Sequence, residues 1–108
     1  TMADAESVIA LADQLHGEEK YEETFQQLQA ALATHKDNAE LLWRFARAHF
    51  DYSNEKPAEK QKWVELGRKY AEQALAVDDE NWACHKWAAI LISANGEFLG
   101  SKKKIEEA

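Results

Sequence analysis

Apolar residues recur along this chain at intervals of three and four rather than two. Val8, Leu11, Ala12 and Leu15 form one such stripe, and Tyr21, Phe25, Leu28 and Leu32 a second. Leu42, Phe45, Ala46 and His49 repeat the first, while Trp63, Gly67, Tyr70, Ala74 and Val77 repeat the second. That spacing places each set on one face of a helix. Asn38 and Asn81 each stand just before a stripe, where a side-chain oxygen can accept the first free amides. Pro57 lacks an amide hydrogen and fits only the first turn of a helix. The pattern predicts helices near 4–16, 20–35, 38–50, 57–77, 81–94 and 99–108. Four Gly and one Pro supply little turn material, and alternating strand patterns are scarce. The predicted fold is all-α.

The stripes also repeat among themselves. Tyr21, Thr24, Leu28 and Ala31 match Val64, Gly67, Ala71 and Ala74, and again Phe98, Ser101, Ile105 and Ala108. Val8, Leu11, Ala12 and Leu15 match Leu42, Phe45, Ala46 and His49, then His85, Ala88, Ala89 and Ile92. The offsets give a period of 34, with nine extra residues in the middle unit, around Asp51–Glu59. A helix–turn–helix unit of about this length is the period of the tetratricopeptide repeat. Thr24, Gly67 and Ser101 are then the small residues where paired helices cross, and Tyr21, Val64 and Phe98 the wedges between pairs. Gly96 falls at the turn inside the third unit. The proline that closes such a unit is replaced by Lys36 and Asp79. The expected architecture is a right-handed array of antiparallel helix pairs in one domain, 1–108. Its repeats span about 5–38, 39–81 and 82–108, the last incomplete, so the chain reads as the beginning of a longer array.

Three segments carry a closer resemblance. Glu40-Leu41-Leu42-Trp43-Arg44-Phe45-Ala46-Arg47-Ala48, Lys69-Tyr70-Ala71-Glu72-Gln73-Ala74-Leu75 and His85-Lys86-Trp87-Ala88-Ala89-Ile90, in that order and spacing, resemble the regulator of microtubule dynamics family. The likeness covers roughly residues 20–108, and its most specific parts are the Trp-Arg-x-Ala-Arg and His-Lys-Trp motifs. It implies association with microtubules, cytoplasmic and cytoskeletal, at the spindle and spindle poles, in chromosome segregation. Some members of the family carry a membrane anchor ahead of their repeats and work at mitochondria or organelle contacts; this sequence shows no anchor.

In an array of this kind the first helix of each pair lines a concave groove. Trp43, Arg44, Arg47 and Phe50 fall on or near that side of the third helix, Lys86, Trp87 and Ile90 on the fifth, and Ile9 and Asp13 on the first. Trp and Arg dominate interface hot spots, and arginine forks pair with carboxylates such as those of tubulin's acidic tails. Trp43, Arg44, Arg47, Lys86 and Trp87 are therefore the candidate partner-binding residues. The competing structural reading packs both tryptophans between repeats and spends both arginines on local acids such as Glu40. Clamping of a peptide's terminal carboxylate, as in chaperone-binding repeats, is disfavoured because Asp13 stands where a donor is needed. The charged stretch Asp51–Lys62 reads as a solvated lead-in to a longer outer helix, and Lys102, Lys103 and Lys104 as solvated.

Composition narrows the function further. Thirteen Lys and Arg against twenty Asp and Glu give a net charge of −7, which argues against nucleic acid or an anionic membrane as partner. Neither half of the chain is positive, so any contact with tubulin has to be local. One cysteine, Cys84, excludes an internal disulfide. No apolar run approaches the ~18–20 residues that span a bilayer. The histidines His16, His35, His49 and His85 are not at metal-ligand spacing, and adjacent Cys84 and His85 diverge on a helix. No phosphate loop, nucleophile elbow or paired catalytic carboxylate is present. The expectation is a protein-interaction module without cofactor, metal or catalytic residue. Two alternatives stay open: a scaffold for a partner other than tubulin, and a lipid-binding contact-site module, which would need an apolar cavity.

Overall fold

The computed structural model describes the backbone of residues 4–107 and the side chains as far as residue 96. It comprises α1 (Ala5–Gly17), α2 (Tyr21–Thr34), α3 (Ala39–Glu55), a 3-10 turn (Pro57–Glu59), α4 (Lys60–Val77) and α5 (Trp82–Glu107). The fold is all-α, and the predicted caps form. The Asn38 side chain accepts from the amide of Leu41 at 3.1 Å, and Asn81 from Ala83 at 3.0 Å. Pro57 opens the 3-10 turn that leads into α4. The α1–α2 turn closes by a different device. The amides of Glu19 and Lys20 return to the carbonyls of His16 and Leu15, which places Glu19 in the left-handed region at φ 61°.

Central α3 is two-faced, and that organises the fold. Leu41, Phe45 and Ala48 pack against Val8, Ala12, Leu28 and Ala31 of α1 and α2. Leu42 and Trp43 pack against Ala74, Ala83 and Cys84, and Ala46 against Val64, Ala71, Ala88 and Leu91, all on α4 and α5. α1, α3 and α5 thus lie side by side, while α2 and α4 flank them on the other side. The crossing residues Thr24 and Gly67 and the wedge Val64 pack as their size demands. Val64 is fully buried, Thr24 is buried with its hydroxyl donating to the Lys20 carbonyl at 2.7 Å, and Gly67 lets α4 sit directly on α3. Phe98 and Ser101 lie outside the described side chains, as do Lys102, Lys103 and Lys104.

Three sequence expectations are revised. Gly96 does not mark a turn, because α5 runs unbroken from Trp82 to Glu107. A glycine costs a helix only about 1 kcal/mol, no proline accompanies this one, and the Oδ1 of the preceding Asn95 has no hydrogen-bond partner among the described residues and so caps nothing. His85, Ala89 and Ile92 are exposed rather than packed. They repeat Leu42, Ala46 and His49, but on α5 that face points away from α3 and α4. Finally, the first part of the insertion is not a loop. It prolongs α3 to Glu55 and buries Tyr52 and Ser53, while residues 54–62 are exposed as expected. Tyr52 stacks on Phe25 with centroids 4.6 Å apart and meets Trp63 edge-on at 5.1 Å.

Candidate functional site

The five candidate residues come together. A cleft of about 460 Å³ opens between the starts of α3 and α5, lined by Trp43, Arg44, Arg47, Lys86 and Trp87. His16, Glu40, Asn81, Trp82 and Ala83 complete its wall. The helix geometry explains the gathering: Glu40, Trp43, Arg44 and Arg47 are spaced three and four apart on α3, as are Trp82 and Lys86 on α5. Phe50 stands beside the cleft, its ring 5.7 Å from that of Trp87. Ile9 packs on the α1–α3 core instead.

Arginine chemistry in the cleft is largely consumed within the chain. The Arg44 guanidinium forks onto both Asp13 carboxylate oxygens at 2.9 Å and also reaches Glu40 at 3.1 Å. Arg47 adds a third bond to Asp13 at 3.1 Å. The arginine side chains are only 11% and 12% exposed, against 45% for Asp13. Two cations hold the Asp13 carboxyl below its ordinary range, the Arg44 hydrogen bonds contributing most. This brace ties α1 to α3, helices that otherwise meet over a short stretch. The structural reading of Arg44 and Arg47 is correct to that extent: each has an internal carboxylate partner.

Trp43 is also accounted for. It is only 9% exposed, its indole N–H donates to Glu40, and both guanidinium groups lie over its ring, at 4.2 and 5.2 Å. Asn81 donates to the other Glu40 oxygen at 3.3 Å. Trp43 is thus the floor of the cleft rather than a free anchor. The free anchor is Trp82, which sequence reasoning missed: it is 73% exposed at the first position of α5. Its signal was present. Trp82 lies off the buried stripe Cys84, Ala88, Leu91 and one turn ahead of Lys86. The Lys86 ammonium lies 5.7 Å from the Trp82 ring and 5.6 Å from the Trp87 ring, within cation–π range of both.

Below the cleft, His16 Nε2 lies 3.2 Å from Asp51 Oδ2. Burial pushes the Asp51 carboxyl up to about 6, against the opposing pull of Arg47, and burial also lowers His16. His49 is buried with its Nδ1 2.8 Å from the Phe45 carbonyl, and desolvation lowers it to about 4. Cys84 is a buried free thiol that burial raises to about 11. Among the described residues, no three His, Cys, Asp or Glu side chains converge as a metal site. No described helix is long and apolar enough to cross a membrane.

Fold and cleft together define the class: an all-α protein of stacked helix pairs, with a mixed aromatic and cationic cleft on the face shared by α1, α3 and α5. The family described as Regulator of microtubule dynamics protein 1-3 matches residues 8–108, and the chain belongs to that family. It is 37% identical to regulator of microtubule dynamics protein 3 of Xenopus laevis, over 88% of this chain and 21% of that protein. It is 36% identical to protein 1 of Pongo abelii, over 98% of this chain and 34% of that protein. With protein 2 of Bos taurus the identity is 32%, over 93% and 25%. The chain therefore spans about a fifth to a third of the length of these relatives.

Proposed function

We propose that this chain is a tetratricopeptide-like interaction module that associates with microtubules and regulates their dynamics, by binding and without catalysis. Its place is the cytoplasmic cytoskeleton, at the spindle and its poles, in support of chromosome segregation. The observation that carries the reading is the convergence of Trp43, Arg44, Arg47, Lys86 and Trp87 on one cleft in a chain of this family. The likeness to proteins named for microtubule dynamics supports microtubules as the partner. The cleft supplies a surface of tryptophans and cations, the residues that carry most binding energy at interfaces.

Co-sedimentation with polymerised purified tubulin tests the reading. Substituting Arg44 or Arg47 would break the brace to Asp13 and confuse unfolding with lost contact. Trp82→Ala/Trp87→Ala leaves that brace intact and, because Trp87 also packs on the core between α3, α4 and α5, is read with circular dichroism as the check on folding and Trp82→Ala alone as the milder variant. The wild type is expected to pellet and the folded variant to stay in the supernatant. Equal pelleting of the two removes the cleft from the mechanism. A scaffold role is favoured by the net charge of −7, which repels tubulin at long range. In that case the chain pellets from cell extract but not with purified tubulin.

A further inference from the structure

We propose that the cleft selects an acidic peptide in which a carboxylate side chain stands next to an apolar one, and that Lys86, set between Trp82 and Trp87, receives the carboxylate. The inference rests on the reading above that the cleft is the binding surface, and it assigns the ligand's chemistry and a principal contact that differs from the arginines.

Most polar groups of the cleft are already satisfied within the chain. Asp13 is held by Arg44 and Arg47, and Glu40 by Trp43, Arg44 and Asn81. The Asn81 oxygen is taken by the Ala83 and Cys84 amides at the start of α5, so that helix end offers an incoming anion little. What remains, besides the buried Arg47 Nε, has one character. Among the described residues, Lys86 has no carboxylate within ion-pair distance, and the indole N–H groups of Trp82 and Trp87 meet no acceptor. All three are donors, and they surround exposed ring faces. A ligand that satisfies them brings an acceptor of negative charge together with an apolar body.

A single free ammonium matches the single charge of a carboxylate. A phosphate dianion calls for several unpaired cations or open helix amides, and here both guanidinium groups are already paired with Asp13, which leaves only the buried Arg47 Nε without a partner. An ammonium set between two ring faces, 5.7 and 5.6 Å from their centroids, is pre-positioned by them, so a carboxylate it meets lies beside apolar surface as well as charge. The chain's overall negative charge then works as a filter. It disfavours anionic ligands generally and leaves binding to those whose apolar side chain also fills the cleft beside Trp82.

The test uses a short fluorescein-labelled peptide of alternating Glu and Phe, read by fluorescence anisotropy, against the same peptide with Gln in place of Glu. The wild type is expected to bind the Glu peptide, to bind the Gln peptide at least tenfold more weakly, and to lose affinity as salt is raised. Lys86→Glu is expected to weaken the Glu peptide at least tenfold, and Trp82→Ala severalfold, while Lys86→Arg retains binding. Lys86 and Trp82 are exposed, so these variants should keep the wild-type helical spectrum and melting curve. Equal binding of Glu and Gln peptides, or indifference to Lys86→Glu, overturns the proposal. So does displacement of the peptide by inorganic phosphate or by phosphatidylserine vesicles at lower concentration than by unlabelled peptide. If the peptide results fail while Trp82→Ala/Trp87→Ala still abolishes microtubule pelleting, the ligand assignment falls and the functional reading stands. If the peptide results hold while pelleting is indifferent to the tryptophans, the reverse is true.

Discussion

Replacing Gly67 by alanine adds one methyl group at the point where α4 lies on α3, and the structure sets the direction of the effect. A Cβ there would lie 2.9 Å from His49 Cβ, 3.0 Å from Leu91 Cδ2 and 3.3 Å from the Ala46 carbonyl oxygen. Two of those neighbours cannot yield cheaply. Ala46 O is backbone, and His49 Cβ is the stem of a side chain pinned by its bond to the Phe45 carbonyl and walled by Phe25, Phe45 and Tyr70. Overpacking costs roughly 1–3 kcal/mol, and a contact as close as 2.9 Å to a neighbour that cannot yield sits in the upper part of that range, about 2–3 kcal/mol. Against it stands the better helix propensity of alanine, about 1 kcal/mol. The net expectation is a loss of about 1–2 kcal/mol, which in a domain near 100 residues lowers Tm by roughly 5–10 °C. Gly96→Ala is the internal control, since a Cβ there has nothing within 4 Å. It should raise stability by up to about 1 kcal/mol. Thermal and urea unfolding followed at 222 nm measures both. Gly67→Ala as stable as the wild type, alongside a stabilised Gly96→Ala, would show that the α3–α4 crossing is looser than the structure describes.

Acid should destabilise the fold through His49. Its folded value near 4 lies below the unfolded 6.5, so the unfolded chain binds the proton first and stability falls as pH drops from 6.5 to about 4, by about 3 kcal/mol at most. Asp51 acts with the opposite sign. Its folded value near 6 lies above the unfolded 3.8, so protonation favours the folded state as pH falls from 6 to 3.8. Asp51→Asn is therefore expected to steepen the acid loss between pH 6 and 4, and urea titrations at stepped pH should show it; an unchanged slope would rule out this cancellation. Asp13→Asn leaves Arg47 without a carboxylate and Arg44 with Glu40 alone and should cost about 2 kcal/mol, with Asp13→Glu recovering part of it. Wild-type stability of Asp13→Asn would mean that the brace between α1 and α3 contributes nothing. Glu19→Gly removes a left-handed side chain from the α1–α2 turn and should raise stability by up to about 1 kcal/mol. A fall in Tm would mean that the Glu19 side chain supports that turn.

Much of the fold is written locally. Helices, caps and the glycine crossing follow from periodicity because each depends on residues within one or two turns, or on the size of a single side chain at a repeated position. Asn38 and Asn81 cap as their place predicts, and Gly67 sits where the repeat requires a missing Cβ. Periodicity misplaced Gly96, since a helix can continue through even an Asn-Gly pair at a cost of about 1 kcal/mol for the glycine. It also assigned His85 and Ile92 to packing, since a repeat position is buried only where a neighbouring helix covers it.

The site divides the same way. That Trp43, Arg44, Arg47, Lys86 and Trp87 share a cleft was legible from helical spacing and the side-by-side order of first helices. Which of them are free was not. Asp13 and Arg44 stand 31 residues apart, and Asn81 and Glu40 stand 41 apart, and no local pattern announces those pairings. Sequence alone determined an all-α chain of paired helices, an aromatic and cationic set of residues on one side, and a family. Tertiary structure decided how the charges are distributed among partners. Ion pairs form between whichever groups the packing brings within a few ångströms, and packing spent the arginines on Asp13 and Glu40. It left Trp82, an unremarked residue beside a cap, as the exposed ring next to Lys86, which has no ion-pair partner among the described residues.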